Sequence, residues 1–452
     1  MYSLYSLLLT LGLLILLPRF LFDGVRHGKY IAGLSQRLGR LPETGTPERS
    51  LVWLHCVSVG ETQAARPLVK ALRDQLPHLK LVISTTTLTG QNVAREVFKE
   101  QAEAVIYFPF DWRWTVRRAL KTINPRAVLL METEVWPNFL NECRRAQIPV
   151  AIVNGRLSET SFRRYRFVKK FIARVLSNLD LALMQTDADA RRTLALGLDP
   201  NKIAVSGNLK FDAGAMRVTS HVASQLKTRF GLAGEASVIL AASTHAPEEQ
   251  IILQAFKQMR RTDPSVRLIL APRHPERFEQ IASLLDSAGL PWARRSQPAS
   301  ETDRTAAVIL LDTIGELPAV YSLAAIVFVG GSIAKTGGHN ILEPAAFGSC
   351  IITGFHTYNF SEIVRTFVEA GAVLQLSQVS EADAANELEK LFTGLLADEI
   401  QREEMGKRAR VTMEKNVGAT ARTVQMLMPM LDRRQAPKSP LSQISIESAP
   451  LA

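Results

Sequence analysis

The chain has 452 residues, 46% of them hydrophobic and 21% charged, which excludes a disordered or collagen-like polymer and exceeds what one ordinary core holds. Its formal net charge of +11 points to an acidic partner: nucleic acid, an anionic membrane surface or a phosphorylated substrate. The cysteines Cys56, Cys143 and Cys350 contain no CxxC pair, which argues against a disulfide framework or a cysteine zinc site and fits a reducing cytoplasm.

Residues 1–18, MYSLYSLLLTLGLLILLP, carry no charge, and the apolar character continues past Arg19 as Phe20-Leu21-Phe22. Some 22 residues make about 33 Å of helix, enough to cross a hydrocarbon core. No basic leader and no small-residue cleavage site accompany them, so an uncleaved membrane anchor is expected over residues 1–22. Arg19, Arg26, Lys29, Arg37 and Arg40 put the body on the cytoplasmic side. Pro18 keeps open a shallow helix lying in the interface.

After a basic linker, residues 23–48, strand and helix signals alternate. Strands are expected at 50–59, 79–86, 104–108, 127–131, 150–153 and 181–185, with helices at 61–76 and 91–101 among those between them. The pattern restarts with strands at 237–242, 266–271, 307–311, 326–329 and 350–353. Such alternation implies parallel βαβ units. The polar stretch 207–220 marks a boundary, giving one α/β domain over 49–212 and a second over 213–432, with a Pro/Ser-rich, disordered tail at 433–452. Ligands of open parallel sheets bind beyond the strands' carboxyl ends, so the site is expected in a cleft between the two domains.

Several constellations lie at such strand ends. Ser58-Val59-Gly60-Glu61 places Glu61 on a helix's first turn, where the macrodipole favours an ionised carboxylate that could act as a general base; the same S-x-x-E spacing is also a capping box. Met131-Glu132-Thr133-Glu134 offers two carboxylates, but i, i+2 spacing sends them to opposite sides of a continuing strand. Lys210, in GNLKFD, falls near the boundary. Ser243-Thr244-His245 could touch phosphate or cap the helix before Glu248. Arg273, in PRHPERF, could grip phosphate or be a surface residue on a Pro-stiffened turn. Gly330-Gly331-Ser332 and Gly337-Gly338-His339-Asn340 allow close backbone approach; the second pair is expected to open a helix that holds an anion, with Asn340 and Glu343 on one face. This is not GxGxxG, so a nucleotide-sugar reading is better than a dinucleotide one.

The run 156–174, RLSETSFRRYRFVKKFIAR, reads as a basic amphipathic helix with Arg163 and Arg164 on its charged side. It suits an anionic membrane or a phosphorylated lipid, or is simply a solvated face. Zinc-finger spacing, RNP-like aromatics and a helix-turn-helix signal are missing from the sequence, so nucleic acid is not the expected partner.

WLHCVSVGET, TTTLTGQNVA, METEVWPN, NGRLS, SGNLKFD, STH, PRHPERF, FVGGS, GGHNILEPAA and HTYNF stand in the order found in the Kdo (3-deoxy-D-manno-octulosonic acid) transferases of lipopolysaccharide synthesis, and the chain resembles that family to about residue 430. Cys56 and the Ala246-Pro247 of STHAPEE depart from the family's pattern. The resemblance implies a GT-B fold with two Rossmann-like domains, acceptor domain first. It implies CMP-Kdo as donor, a phosphorylated lipid A precursor as acceptor and inversion at the anomeric carbon, with no metal and no cofactor. It makes Glu61 the catalytic base. It assigns Arg273, Gly337, Gly338, Asn340 and Glu343 to the nucleotide, with Ser243, Thr244, His245 and Lys210 beside them. Glu132, Glu134, Arg163 and Arg164 fall to the acceptor side, facing an anionic inner-membrane surface. A GT-B enzyme using a UDP-sugar and a non-catalytic membrane-associated binding protein are the alternatives.

Overall fold

The computed structural model describes residues 1–27, 33–43, 51–132, 134–214, 220–232 and 237–432; the expected tail at 433–452 and Lys29 lie outside them. The chain forms two compact units, Met1–Ala213 with Val417 onward, and Gly214–Asn416.

In the first unit, β1 (Leu51–His55), β2 (Lys80–Thr85), β3 (Ala104–Tyr107), β4 (Ala127–Met131), β5 (Val150–Gly155), β6 (Leu181–Met184) and β7 (Ile203–Val205) form one sheet in the order β3-β2-β1-β4-β5-β6-β7. Every pairing is parallel. Helices cover both faces, so the strands are apolar throughout rather than alternating. Leu51, Trp53, Val128, Leu130 and Val150 pack into one core, while Val52, Leu54, Leu129, Ala151 and Val153 pack into another on the opposite face. His55 in the WLH motif is fully buried; its Nδ1 lies 2.9 Å from the Ser84 hydroxyl and burial pushes it down to about 3, so it is a neutral core group.

The second unit repeats the plan with β8 (Val238–Thr244), β9 (Arg267–Pro272), β10 (Trp292–Arg294), β11 (Val308–Leu310), β12 (Ile326–Val329), β13 (Cys350–Thr353) and β14 (Val373–Gln375), in the order β10-β11-β9-β8-β12-β13-β14. These pairings are parallel too. Its core joins Ile239, Leu268, Leu310, Phe328 and Ile352 to helix residues such as Phe256 and Phe392.

One boundary differs from the sequence reading. The helix Ala419–Leu431, expected in the second domain, belongs to the first unit. Its Val424, Leu427 and Leu431 are buried against Leu68 and Leu72. Asp212 fixes its start, accepting from the backbone N–H groups of Gly418 at 2.6 Å and Thr420 at 2.5 Å. The two uncapped N–H groups at a helix start are what a carboxylate satisfies best, so a sequence-distant Asp is the cap.

The N-terminal helix is Tyr2–His27. Among the described residues no helix is long and apolar enough to cross a membrane, so the expected crossing is not seen. Instead the helix lies on the first unit through a polar stripe. Asn178 Nδ2 donates to the Tyr2 hydroxyl at 2.9 Å, Asn138 Nδ2 to Ser6 Oγ at 3.0 Å and Trp112 Nε1 to Thr10 Oγ1 at 3.0 Å. Part of the expected linker is docked as well: Arg37 donates to the Thr86 carbonyl at 2.6 Å and stacks over the Tyr107 ring.

Candidate active site

An open parallel sheet binds ligands where its strand order reverses, because there the loops from neighbouring strands diverge and leave a crevice. The first sheet reverses between β1 and β4 and the second between β8 and β12. Glu61, Glu132 and Glu134 follow β1 and β4, Ser243 to His245 stand at the end of β8, and Gly337 to Glu343 follow β12, while Arg273 follows the neighbouring β9 and Lys210 follows β7.

After β1, Ser58 caps the helix Val59–Ala64, its Oγ accepting from the Glu61 N–H at 3.4 Å. The Glu61 carboxylate turns back to accept from the Val57 N–H at 2.8 Å and the Ser58 hydroxyl at 3.1 Å. The capping geometry is therefore present, and it aims Glu61 rather than hiding it among solvated charges. Glu61 is 7% exposed. Burial first, then the charge of Glu132, push its carboxyl up to about 8, against the pull of the Val57 N–H. This corrects the expectation that the helix terminus favours the ionised form: a six-residue helix does not outweigh desolvation and neighbouring carboxylates.

Glu132 and Glu134 are brought together with Glu61, contrary to the i, i+2 argument. β4 ends at Met131 and Glu132 takes a left-handed φ of 54°, so no strand continues to separate the two side chains. Burial foremost, and then Glu132, raise Glu134 above the ordinary carboxylate range. Lys210 lies in the first unit, its Nζ 3.3 Å from Glu132 Oε1, which ties it to the carboxylate cluster. The run 156–174 is not one helix but two, Glu159–Arg166 and Lys169–Leu176, broken where Val168 leaves helical geometry. Arg163 and Arg164 are exposed, Arg163 pairing with Glu159 at 3.2 Å.

In the second unit the missed residue is Glu248. Its fully buried carboxylate accepts from the N–H groups of His245 (2.9 Å), Gly331 (2.7 Å), Ser332 (2.8 Å), Ile333 (2.8 Å) and Ala334 (3.2 Å). The Gly330-Gly331 loop thus folds around an internal anion, and those N–H groups are already satisfied. A Cβ on Gly330 would stand 2.8 Å from both the Ser243 carbonyl and Glu248, which is why only glycine fits there. The neighbouring Glu249 pins Arg277, accepting at 2.7 and 3.1 Å. The signal for these roles is the Glu pair following STH, which reads locally as no more than a helix start. The hydroxyls of Ser243 and Thr244 do not cap that helix, whose N-cap is Pro247. Ser243 has a left-handed φ of 55° and Thr244 is buried, its carbonyl accepting from the Arg273 N–H at 3.1 Å.

His245 joins His339, a second residue the sequence reading did not single out. Their Nε2 atoms are 2.8 Å apart and their rings stack at 5.0 Å, so one ring donates and the other accepts. His274 meets His245 edge-on at 5.0 Å. Burial, and the nearby His245 and Arg273, push His339 down to about 4, so the pair is neutral at physiological pH. Gly337 and Gly338 adopt φ of 96° and 75° but do not open a helix; that helix is Leu342–Ala346. Asn340 braces it, donating to Glu343 Oε1 at 3.2 Å and accepting from the Leu342 N–H at 3.1 Å. Burial raises Glu343, which also accepts from the Tyr321 hydroxyl and feels the charge of Arg273. Arg273 is exposed, and its charge bears on both His339 and Glu343. Among the described residues no three His, Cys, Asp or Glu side chains are placed to hold a metal ion.

Two parallel Rossmann-like sheets, one with a carboxylate cluster and the other with His, Asn and Glu residues at its switch point, make a GT-B-like fold. A solved glycosyltransferase from Rickettsia africae matches the fold at TM-score 0.53 and 11% identity, over 86% of this chain and 100% of its own. In sequence, the chain is 35% identical over 409 residues to the 3-deoxy-D-manno-octulosonic acid transferase of Haemophilus influenzae, covering 90% of this chain and 94% of that protein. It is 36% identical over 391 residues to the Bordetella pertussis enzyme, covering 84% and 87%. Residues 32–213 match the family model described as 3-deoxy-D-manno-octulosonic-acid transferase (kdotransferase). The chain belongs to the Kdo transferase family, and its activity is transfer of Kdo.

Proposed function

We propose that the chain moves Kdo from CMP-Kdo to a hydroxyl of a phosphorylated lipid A precursor, with Glu61 as general base. Glu61 takes the proton of the acceptor hydroxyl as that oxygen attacks the anomeric carbon, and the bond to the CMP phosphate oxygen breaks with inversion. The leaving phosphate takes the bonding electrons. Arg273, with the loop Gly337 to Asn340, Glu343 and the loop Ser243 to His245, holds the nucleotide; stabilising the charge on a departing phosphate is a large part of the rate. The observation that carries this reading is Glu61, enclosed, tied to Val57 and Ser58, and grouped with two further carboxylates at the first sheet's switch point.

The body sits at the cytoplasmic face of the inner membrane. The N-terminal helix leaves Leu7, Leu11, Leu14 and Ile15 exposed, and Phe167 between the two basic helices is 90% exposed. Apolar residues flanked by Arg163, Arg164, Lys169 and Lys170 suit a helix lying in an anionic interface rather than crossing it.

The test is transfer from CMP-Kdo, generated in situ, to a lipid A precursor, followed by product mass, for wild type and Glu61→Gln. Product from wild type alone, with CMP binding kept in the variant, supports both substrate and base. A wild type that binds UDP in preference to CMP and makes no Kdo product would overturn the substrate reading.

A further inference from the structure

The N-terminal helix reverses the usual arrangement of a surface helix. Its polar residues Tyr2, Ser6 and Thr10 bond inward, while Leu4 and Leu8 are each 59% exposed. Those two leucines form one side of an open groove of about 650 Å³. Val168 and Ile172, from the second half of the basic run, form another part of its lining, and Trp136 and Glu134, from the loop after β4, complete it. The volume is that of a small-molecule site, but a lining so largely aliphatic and aromatic offers little to a sugar or nucleotide. Covering the exposed faces of these leucines removes apolar surface from water, so the groove favours an apolar occupant.

We infer that this groove takes an acyl chain of the acceptor lipid, which makes the N-terminal helix a wall of the substrate site. This rests on the proposed lipid acceptor. Two features select the acceptor over a bulk membrane lipid or a second copy of this chain. The groove is continuous with the catalytic cluster, since Glu134 lines it and its charge also bears on Glu61. The two helices that carry Tyr165 and Ile172 into its lining also carry the exposed Arg164, Arg166, Lys169 and Lys170, whose charge complements a phosphorylated headgroup. A chain seated between Leu8 and Val168 would bring that headgroup near these basic helices and its sugar hydroxyl toward the carboxylates.

The experiment fills the groove from opposite sides with Leu8→Trp and Val168→Trp, both at exposed positions, and checks folding by thermal melts. Transfer is measured in detergent for the tetraacylated acceptor and for the same bisphosphorylated disaccharide stripped of its acyl chains. The readout is the ratio of kcat/KM for the two acceptors, which general damage to the enzyme does not move. Each variant is expected to lower the wild-type ratio roughly tenfold, through KM for the acylated acceptor. A ratio within about twofold of wild type in both variants would overturn the groove assignment while leaving the transfer reaction intact. A wild type that makes no product from either acceptor overturns the reaction reading, and with it the groove's ligand.

Discussion

The ammonium of Lys210 stands 3.3 Å from the carboxylate of Glu132, and Glu132 is the charge that bears most on Glu61. Lys210 thus offsets part of the charge of the carboxylate cluster. The consequence is kinetic: the fraction of Glu61 that is ionised, and so able to accept a proton, depends on its neighbours' charges. Transfer should rise with pH through about 8. Glu132→Gln removes the repulsion and should move that acid limb down by about one pH unit, whereas Lys210→Met should move it up. A pH–rate profile of kcat/KM checks both signs. A limb that stays in place in both variants would mean that another group titrates.

Glu61 also makes a stability prediction with a definite sign. Its folded-state value lies above the ordinary one, so its contribution to stability is full below about 4.5 and is lost as pH rises through about 8. Glu61→Gln keeps the shape of the protonated group and cannot ionise. The variant should match wild type at pH 5 and exceed it by about 1–3 kcal/mol at pH 9, while transfer falls by roughly 10²–10⁴. Urea unfolding at the two pH values measures the difference. Equal stability at pH 9 would show that the carboxylate is not destabilised by ionisation.

Which parts were legible in the sequence follows from how far each interaction reaches along the chain. The two parallel sheets could be read, because short apolar runs alternating with helical stretches are local signals, and Glu61, Arg273, Asn340 and Glu343 could be singled out as candidates because they lie in motifs that follow strands. Glu248 could not, because its five N–H donors lie mostly more than 80 residues away and nothing near it shows a nest waiting for an anion. Asp212 likewise caps a helix 206 residues on. The companionship of Glu132 and Glu134 was missed because strand spacing was applied across a residue in left-handed geometry, where it does not hold.

Glu248 organises the loop after β12. Five backbone donors converge on one carboxylate, and each charge-assisted bond is stronger than a neutral one. Glu248→Gln turns one acceptor oxygen into a donor facing N–H groups. It should destabilise the second unit by about 2–4 kcal/mol, since several buried donors lose their partner at once. Hydrogen exchange should quicken at residues 331–334, and nucleotide affinity should fall as the loop after β12 loses its shape. Gly330→Ala should mimic it, because its Cβ would press on Glu248 and the Ser243 carbonyl. Protection at 331–334 that survives Glu248→Gln would assign the loop's shape to the strand ends instead.

The last helix tests whether the first unit needs the chain's return. Val424, Leu427 and Leu431 are fully buried on the face that also buries Leu68 and Leu72, and burying three such side chains contributes roughly 5–9 kcal/mol. Ending the chain at Asn416 should therefore leave the first unit unfolded or aggregation-prone while the second still binds nucleotide. Asp212→Ala separates the cap from the burial: it strips Gly418 and Thr420 of their acceptor and should cost about 1–2 kcal/mol, leaving the helix in place. Circular dichroism melts of the two variants, read beside CMP binding, distinguish the effects. If the truncated chain melts like wild type, the apolar face it exposes is covered by something else, and the helix is an accessory rather than a structural member of the first unit.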